Sequence, residues 1–181
     1  RTGRDPGRLR ARGGRCPLQR DAAGRRLELA PGNHLHASRP DRLEALSIPP
    51  EEYLYGLAEV PSSWPKPALQ AQSIAARTYA FRKAETSGQH RPGCNCALYA
   101  SSFDQVYAGW DKEAGPDGER WVAAVNATAG RVITHRSEMI EAFYSSSSGG
   151  YTENNENVWG GTPIAYLRGV CDPGDYTPAN E

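Results

Sequence analysis

Short apolar runs mark the first ordered part of the chain. Between residues 27 and 48 the runs LELA, HLHA and LEALSI are separated by Pro31, Gly32 and Pro40. Apolar runs bounded by proline and glycine are typical of strands joined by turns. We therefore predict a small set of short strands here.

A short helix is predicted directly after these strands. Pro50 suits the first helical position, and Glu51 and Glu52 complement the positive end of a helix. The apolar positions predicted to lie on this helix are Tyr53, Leu54, Leu57 and Ala58.

A long alanine-rich helix is predicted to end near Ser87. Ser62 or Ser63 can cap its start, and the two prolines that follow are tolerated in the first turn, where N–H groups have no intrahelical partner. Gly88 can end the helix with a positive φ. One face carries polar side chains that we expect to point toward water, the plainer interpretation, or toward a site: Lys66, Gln70, Ser73 and Arg77.

The second half of the chain alternates strands, turns and a further helix. Residues 98–110 read as a strand, residues 118–130 as a helix closed by glycine, and two strands are predicted to pair around Arg136 and Ser137. The small residues 145–150 are expected to form a loop beside a cleft. Together the pattern predicts an α+β fold, a single domain of short, mostly antiparallel strands with two or three helices around a substrate cleft.

Composition narrows the class of protein. The chain has 181 residues, enough for one domain with a sizeable core, and its 21 basic and 21 acidic side chains give no argument for a nucleic-acid partner. Residues 1–26 are rich in arginine and glycine and are predicted to be a poorly ordered lead-in, with contact to an anionic polymer as the alternative. No apolar run approaches the roughly 18 residues that span a membrane. If the protein is exported, we expect its signal or membrane anchor to lie upstream of this chain.

Four cysteines raise the question of disulfides or a metal. Cys16, Cys94, Cys96 and Cys171 allow three complete pairings. His90, Cys94 and Cys96 are residue types that bind zinc, but they offer three ligands at an unusual spacing. We favour disulfides of Cys94 and Cys96 with the two distant cysteines, and we predict no cofactor, with zinc as the weaker alternative.

Common catalytic motifs are missing from the sequence, including a phosphate-binding glycine loop, HExxH and GxSxG. A serine nucleophile in the SSSS run with His135 as base is disfavoured, because four consecutive serines indicate flexibility more than activation. Glu59 precedes Trp64 in partly apolar surroundings. Burial raises the pKa of a carboxyl group and suits it to donate a proton, whereas the positive end of a helix acts in the opposite direction. Taken alone, Glu59 is best interpreted as an ordinary exposed or capping acid.

Five blocks, in order, resemble the SpoIID and LytB family: YLYGLAEVPSSWPKPALQAQSIAARTYA, DQVYAGW, AVNATAGRVI, AFYSSSSGGYTENNENVWGG and YLRGVCDPGD. The resemblance covers about residues 49–175, so we assign residues 27–181 to a SpoIID-like domain. It implies a lytic transglycosylase that cleaves the bond between N-acetylmuramic acid and N-acetylglucosamine in peptidoglycan strands stripped of stem peptides, leaving 1,6-anhydro ends.

The resemblance also implies site residues. The family's catalytic glutamate, in its E-M-P-S-S-W block, matches Glu59, with Val60 in place of methionine, and the arginine of A-A-R-T-Y-A matches Arg77. The family's preferred lysine is Gln70 here. Expected substrate-binding residues are Trp64, Gln70, Ser73, Tyr144, Ser145, Ser146, Ser147, Ser148, Gly149 and Tyr151, with Trp159 as a further stacking candidate. The zinc of some clostridial relatives does not carry over, because Asp104 stands before the Q-V-Y block.

Three functions follow from the resemblance as expectations. The first is an exported enzyme of the cell envelope that acts on glycan strands, with Glu59 as the general acid and base. The second is an amidase enhancer of the LytB type, which binds the wall and works with a cell-wall amidase without turnover. The third is a structural module of an envelope complex.

Overall fold

The computed structural model describes residues 34–39, 42–88, 91–92 and 96–175, with the backbone alone described for residues 34–47. The chain divides into two compact units between Ala142 and Phe143. Helices combine with small antiparallel sheets, which confirms the α+β prediction. The described part has five α-helices, three of them short, where two or three were predicted. The predicted lead-in and the LELA run lie outside the described residues, and the substrate cleft stays a prediction.

The first strands form a hairpin. Strand β1 (His34–Arg39) pairs antiparallel with β2 (Arg42–Ser47), with His34 opposite Ser47 and Arg39 opposite Arg42. The prediction of short strands is therefore confirmed for the HLHA and LEALSI runs.

Helix α1 (Pro50–Tyr55) starts at the predicted proline but is shorter than predicted. Gly56 ends it by donating its N–H to the carbonyl of Tyr53 at 3.2 Å. Leu57 and Ala58 lie beyond the helix, and the Ala58 N–H donates to the carbonyl of Val106 at 2.9 Å. The bonds that these residues form with a distant segment replace the bonds of a further helical turn.

Helix α2 (Lys66–Ser87) ends where predicted, at Gly88 with a φ of 66°. It begins after Pro65 and has no side-chain cap, so the predicted serine cap is wrong. The reason is local: the Trp64 N–H donates to the carbonyl of Pro61 at 3.2 Å, which places both serines in a separate turn.

The predicted strand over residues 98–110 is largely irregular, with an isolated antiparallel bridge between Leu57 and Tyr107. A short helix α3 (Trp110–Ala114) follows, and then the predicted helix α4 (Gly118–Ala127). The core between these helices is apolar and consists of Tyr53, Leu54, Leu57, Leu69, Ala76, Ala97, Leu98, Trp121, Ala124 and Val125.

A tight hairpin closes the first unit. Strands β3 (Thr134–His135) and β4 (Glu138–Met139) pair antiparallel, as predicted, although each is only two residues long. Arg136 and Ser137 connect them with φ values of 52° and 71°. Positive φ at both central residues is what a two-residue type I′ turn requires.

The second unit is built around α5 (Asn155–Trp159), which the sequence pattern did not predict, and a 3₁₀ turn (Pro173–Asp175). Its two chain segments pair at Tyr151 and Cys171. The buried side chain of Asn155 donates to the carbonyl of Thr162 at 3.0 Å and accepts from the Ile164 N–H at 2.8 Å. In the described part of the chain, no helix is both long and apolar enough to cross a membrane.

We expect Gly56→Ala to destabilise the first unit. An added Cβ would lie 2.5 Å from the ring of Tyr107 and 2.8 Å from the Cα of Gly109. Such overpacking should lower the free energy of unfolding by about 2 kcal/mol in urea titrations followed by circular dichroism. The control Ala123→Ser, on the exposed face of α4, should change it by less than about 0.5 kcal/mol. Equal unfolding midpoints for Gly56→Ala and the parent would contradict the close packing.

Candidate active site

Glu59 lies just after the segment that pairs with residues 106–109. Its side chain is half-buried, and its Oε1 accepts a hydrogen bond from the Val106 N–H at 2.6 Å. The carbonyl of Val106 in turn accepts from the Ala58 N–H at 2.9 Å. Val106 therefore holds both the backbone before the glutamate and the carboxylate itself.

Gln105 anchors Val106 to the core. It is fully buried, its Oε1 accepts from the Tyr53 hydroxyl at 2.8 Å, and its Nε2 donates to the carbonyl of Ala76 at 3.1 Å. These bonds tie the segment to both α1 and α2. The sequence block that contains Gln105 was recognised by resemblance, but this role comes from contacts across 52 residues of sequence.

Tyr107 packs beside Gln105. Its ring stacks on that of Tyr53, with centroids 5.3 Å apart and planes 13° apart. Burial, followed by the negative charge of Glu113, raises the pKa of the Tyr107 hydroxyl. The ring also lies close to the backbone of Gly56, where an added Cβ would come within 2.5 Å of it.

Two cationic side chains hold the loop of residues 59–64, here called the glutamate loop. Lys112 Nζ donates to the carbonyl of Val60 at 2.6 Å. Arg120 donates to the carbonyls of Ser63 at 3.0 Å and Trp64 at 2.9 Å. Sequence reasoning missed both residues, because each lies some 50 residues or more from its partner. Trp64 is 42% exposed, so its ring is accessible for stacking.

Arg77 is only 1% exposed and forms a bidentate ion pair with Glu51, with Nε to Oε1 at 3.0 Å and NH2 to Oε2 at 2.6 Å. It also donates to the carbonyls of Val125 at 3.3 Å and Arg131 at 3.1 Å. Among the described residues, its hydrogen bonds go to these groups, Ser73 and Thr128, and none goes to Glu59. The expectation that this end of the polar face points toward water is wrong for Arg77, and its catalytic role stays a prediction.

Ser73 lies in the same buried layer. Its hydroxyl donates to the carbonyl of Gln70 at 2.9 Å and lies 2.7 Å from the Thr128 hydroxyl, which joins α2 to the end of α4. Ser73 is 0% exposed, so its burial gives no support to the predicted contact with substrate. Gln70 is half-buried, one turn nearer the helix start.

In the second unit, residues 145–150, the serine block, surround a carboxylate. Asp175 Oδ2 accepts from the hydroxyl of Ser147 at 2.8 Å, the N–H of Gly149 at 2.7 Å, and both the N–H and hydroxyl of Ser148. The Ser147 hydroxyl, followed by the other donors of the block, lowers the pKa of Asp175 to about 2. The Ser148 hydroxyl also lies 3.0 Å from Asp172 Oδ2. The block is therefore an ordered carboxylate-binding turn, unlike the flexible linker that its composition suggests.

The remaining predicted substrate-binding residues surround this block. Ser145 and Ser146 are exposed and Tyr144 is half-buried. Tyr151 is 59% exposed, and its hydroxyl donates to the carbonyl of Gly169 at 3.2 Å. Trp159 is exposed and packs on Phe143 with ring centroids 4.5 Å apart. The exposed rings are accessible for sugar stacking, which stays a prediction.

The metal candidates are only partly described. His90 and Cys94 lie outside the described residues, whereas Cys96 is buried and disulfide-bonded. Cys171 is an exposed free thiol, so the expected disulfide of Cys171 is wrong. Within residues 48–88, 91–92 and 96–175, no group of three or more His, Cys, Asp or Glu side chains is arranged to hold a metal ion. The carboxylate of Asp104 is used by protein donors, including the Tyr99 N–H at 2.7 Å and the Tyr79 hydroxyl at 3.0 Å.

Comparison with known proteins shows to which family the chain belongs. The family model SpoIID, described as stage II sporulation protein, matches residues 42–135, which include Glu59, Arg77 and Val106. The chain belongs to the SpoIID family. The predicted resemblance is therefore confirmed for the unit that carries Glu59.

Individual relatives agree with the family match. Stage II sporulation protein D of Bacillus amyloliquefaciens is 33% identical over 138 residues, and that of Bacillus subtilis (strain 168) is 34% identical over 138 residues. Both alignments cover 71% of this chain and 40% of the relative. The amidase enhancer of Bacillus subtilis (strain 168) is 36% identical over 117 residues, which are 65% of this chain and 14% of that protein. The chain thus spans about two fifths of the length of the sporulation relatives.

We expect Arg77→Lys to be strongly destabilising. A lysine cannot reproduce the bidentate pair with Glu51 and leaves carbonyl partners unsatisfied, so the free energy of unfolding should fall by about 2–4 kcal/mol in urea titrations. The control Arg82→Lys alters a half-exposed pair with Glu141 and should cost less than about 1 kcal/mol. A variant Arg77→Lys with parental stability but without activity would contradict the structural role and support the catalytic one.

The serine block should loosen in acid. The pKa of Asp175 is lowered from 3.8 to about 2, so its stabilising contribution is complete above pH 3.8 and is lost as the pH falls through about 2. In NMR titrations, we expect the Gly149 amide signal to follow a midpoint near pH 2. Asp175→Asn should remove this transition, and a parental midpoint near the ordinary aspartate value would contradict the carboxylate-binding turn.

Proposed function

We propose that this chain is the catalytic part of a peptidoglycan lytic transglycosylase, with Glu59 as its single general acid and base. The observation that carries the proposal is the half-buried carboxylate of Glu59, held by one backbone amide in the unit that matches the SpoIID family. A side chain held in this way is preoriented yet still reachable by a substrate. Such preorientation of a proton donor is what acid–base catalysis requires.

The chemistry uses the two carboxyl oxygens of Glu59 differently. The Val106 N–H occupies Oε1, which leaves Oε2 to carry the proton. In the first step Oε2–H protonates the glycosidic oxygen of N-acetylglucosamine, and the bond from that oxygen to C1 of N-acetylmuramic acid breaks. The resulting carboxylate then accepts the proton of the 6-hydroxyl of the same muramic acid, whose oxygen bonds to C1. Glu59 is protonated again at the end.

One carboxyl group is sufficient for this reaction. Glycosidases that use water commonly need two carboxylates, because a second group must activate the water or form a covalent intermediate. Here the nucleophile belongs to the substrate, and its proton returns to the group that supplied the first one. We propose that Trp64, which is exposed at the end of the glutamate loop, stacks on a neighbouring sugar ring.

The proposal also covers the substrate and the location of the protein. Glycan strands of the cell wall are the partner, in an exported protein of the envelope. Stripping of the stem peptides would expose the sugar faces to the loop and its tryptophan. We place Arg77 in the supporting structure, because its donors are already used by Glu51 and backbone carbonyls.

The second candidate is a non-catalytic partner of a cell-wall amidase. It is favoured by the 36% identity over 117 residues to a protein named amidase enhancer, compared with 33% and 34% over 138 residues for the sporulation relatives. In that case the exposed aromatic residues would bind glycan, and Glu59 would act only as a structural acceptor for Val106.

Product analysis separates the two candidates. Purified glycan strands, with and without stem peptides, are incubated with the parent and Glu59→Gln, and 1,6-anhydro-muramyl ends are measured by mass spectrometry. Because the glutamine cannot transfer the proton, we expect it to lose at least about 100-fold in rate. Glu52→Gln, an exposed acid on α1, is the matched control and should retain parental activity.

Two other outcomes would contradict the proposal, one for the role of Glu59 and one for the enzyme itself. Anhydro ends produced equally by Glu59→Gln would exclude Glu59 as the acid. Binding of strands by both proteins without any product, together with stimulation of an added amidase, would replace the enzyme with the amidase-enhancer function.

A further inference from the structure

The glutamate loop depends on donors from other elements. Pro61 carries no amide hydrogen, and the loop supplies one internal backbone bond, from the Trp64 N–H to the Pro61 carbonyl at 3.2 Å. Its other well-placed acceptors, the carbonyls of Val60, Ser63 and Trp64, receive their hydrogen bonds from Lys112 and Arg120. Without these donors, the loop would have few hydrogen bonds to define its path.

Lys112 is held between the glutamate loop and the ring of Trp121. Its ammonium nitrogen lies 5.5 Å from the centre of the Trp121 ring, and Trp121 is itself 1% exposed and donates its Nε1–H to the carbonyl of Leu54 at 2.8 Å. Burial lowers the pKa of Lys112. A cation kept in this setting is stabilised by its bond to Val60 and by the aromatic face below it.

The backbone around Glu59 is therefore held on both sides. Before it, the Ala58 N–H is bound to the carbonyl of Val106, and after it, the Val60 carbonyl is bound by Lys112. The carboxylate itself receives the Val106 N–H. If the bond from Lys112 to the Val60 carbonyl is lost, the backbone of Glu59 becomes more mobile, while the Val106 N–H that donates to its carboxylate stays in place. Misplacement by about 1 Å is enough to reduce rates by about 100-fold.

We infer that Lys112 is a positioning residue for Glu59, assisted by Arg120, which fixes the far end of the glutamate loop. The inference rests on the proposed function. Lys112 acts through the Val60 carbonyl, so its loss should lower kcat and leave KM nearly unchanged.

The test compares Lys112→Met, which keeps an unbranched chain on Trp121 but removes the donor, with Lys112→Arg, which keeps a charged donor. Lys83→Met is the control, since it removes an ammonium group whose side chain is 29% exposed and whose partner is Asp104. Release of anhydro ends gives kcat and KM. Hydrogen exchange of the Val106 amide, read by NMR against the buried Val125 amide, reports the Glu59 contact without any need for activity.

We expect Lys112→Met to lower kcat about 10- to 100-fold with KM within about twofold, to speed exchange at Val106 several-fold, and to leave Val125 unchanged. Lys112→Arg should recover part of both losses. Unchanged kcat, or unchanged Val106 exchange, in Lys112→Met overturns the inference. If Lys112→Met does not fold, Arg120→Met is measured in the same way, with the same criteria.

Failure of the proposed function is visible separately. A parent that releases no anhydro ends rejects the enzyme, whereas faster Val106 exchange in Lys112→Met would still show that Lys112 positions Glu59. An active parent with an unaffected Lys112→Met rejects only the positioning role.

Discussion

The ion pair between the buried Arg77 and the partly exposed Glu51 is the interaction on which the first unit depends. A guanidinium inside a protein must have its donors satisfied. The acceptors for Arg77 include the carboxylate of Glu51, the hydroxyl of Thr128 and the carbonyls of Val125 and Arg131. Helices α1, α2 and α4 therefore meet around one charge. Glu59 lies in the connection between α1 and α2, so this pair joins the two helices that flank the proposed catalytic acid.

The candidate site is held in place by residues that take no part in the proposed reaction. Gln105 anchors Val106, Val106 holds the Glu59 carboxylate, and Lys112 and Arg120 hold the loop that follows. This arrangement explains how a loop with few internal hydrogen bonds can present a defined carboxylate. It also separates the residues that define the geometry from the single side chain proposed to move a proton.

The second unit shows the same dependence on a carboxylate. Four consecutive serines and two glycines have little intrinsic preference for one conformation, and the backbone and hydroxyl donors of the block are directed to Asp175. Gly149 and Gly150 contribute the positive φ values of 67° and 91° that this turn requires. The order of the block therefore comes from a residue about 27 positions away.

The sequence by itself determined the elements whose causes are local. Runs of helix-forming residues predicted α2 and α4, a glycine marked the end of α2, and a turn predicted the β3–β4 hairpin. Glu59 was identified from the short block of residues around it. The tertiary structure alone decided the burial of Ser73 and Arg77, the start of α2, the irregular path of residues 98–110 and the roles of Lys112 and Arg120. A polar helix face has the same sequence period whether it contacts water or a buried partner. Which of the two it contacts depends on groups such as Glu51, 26 residues away, that only the folded chain brings into range.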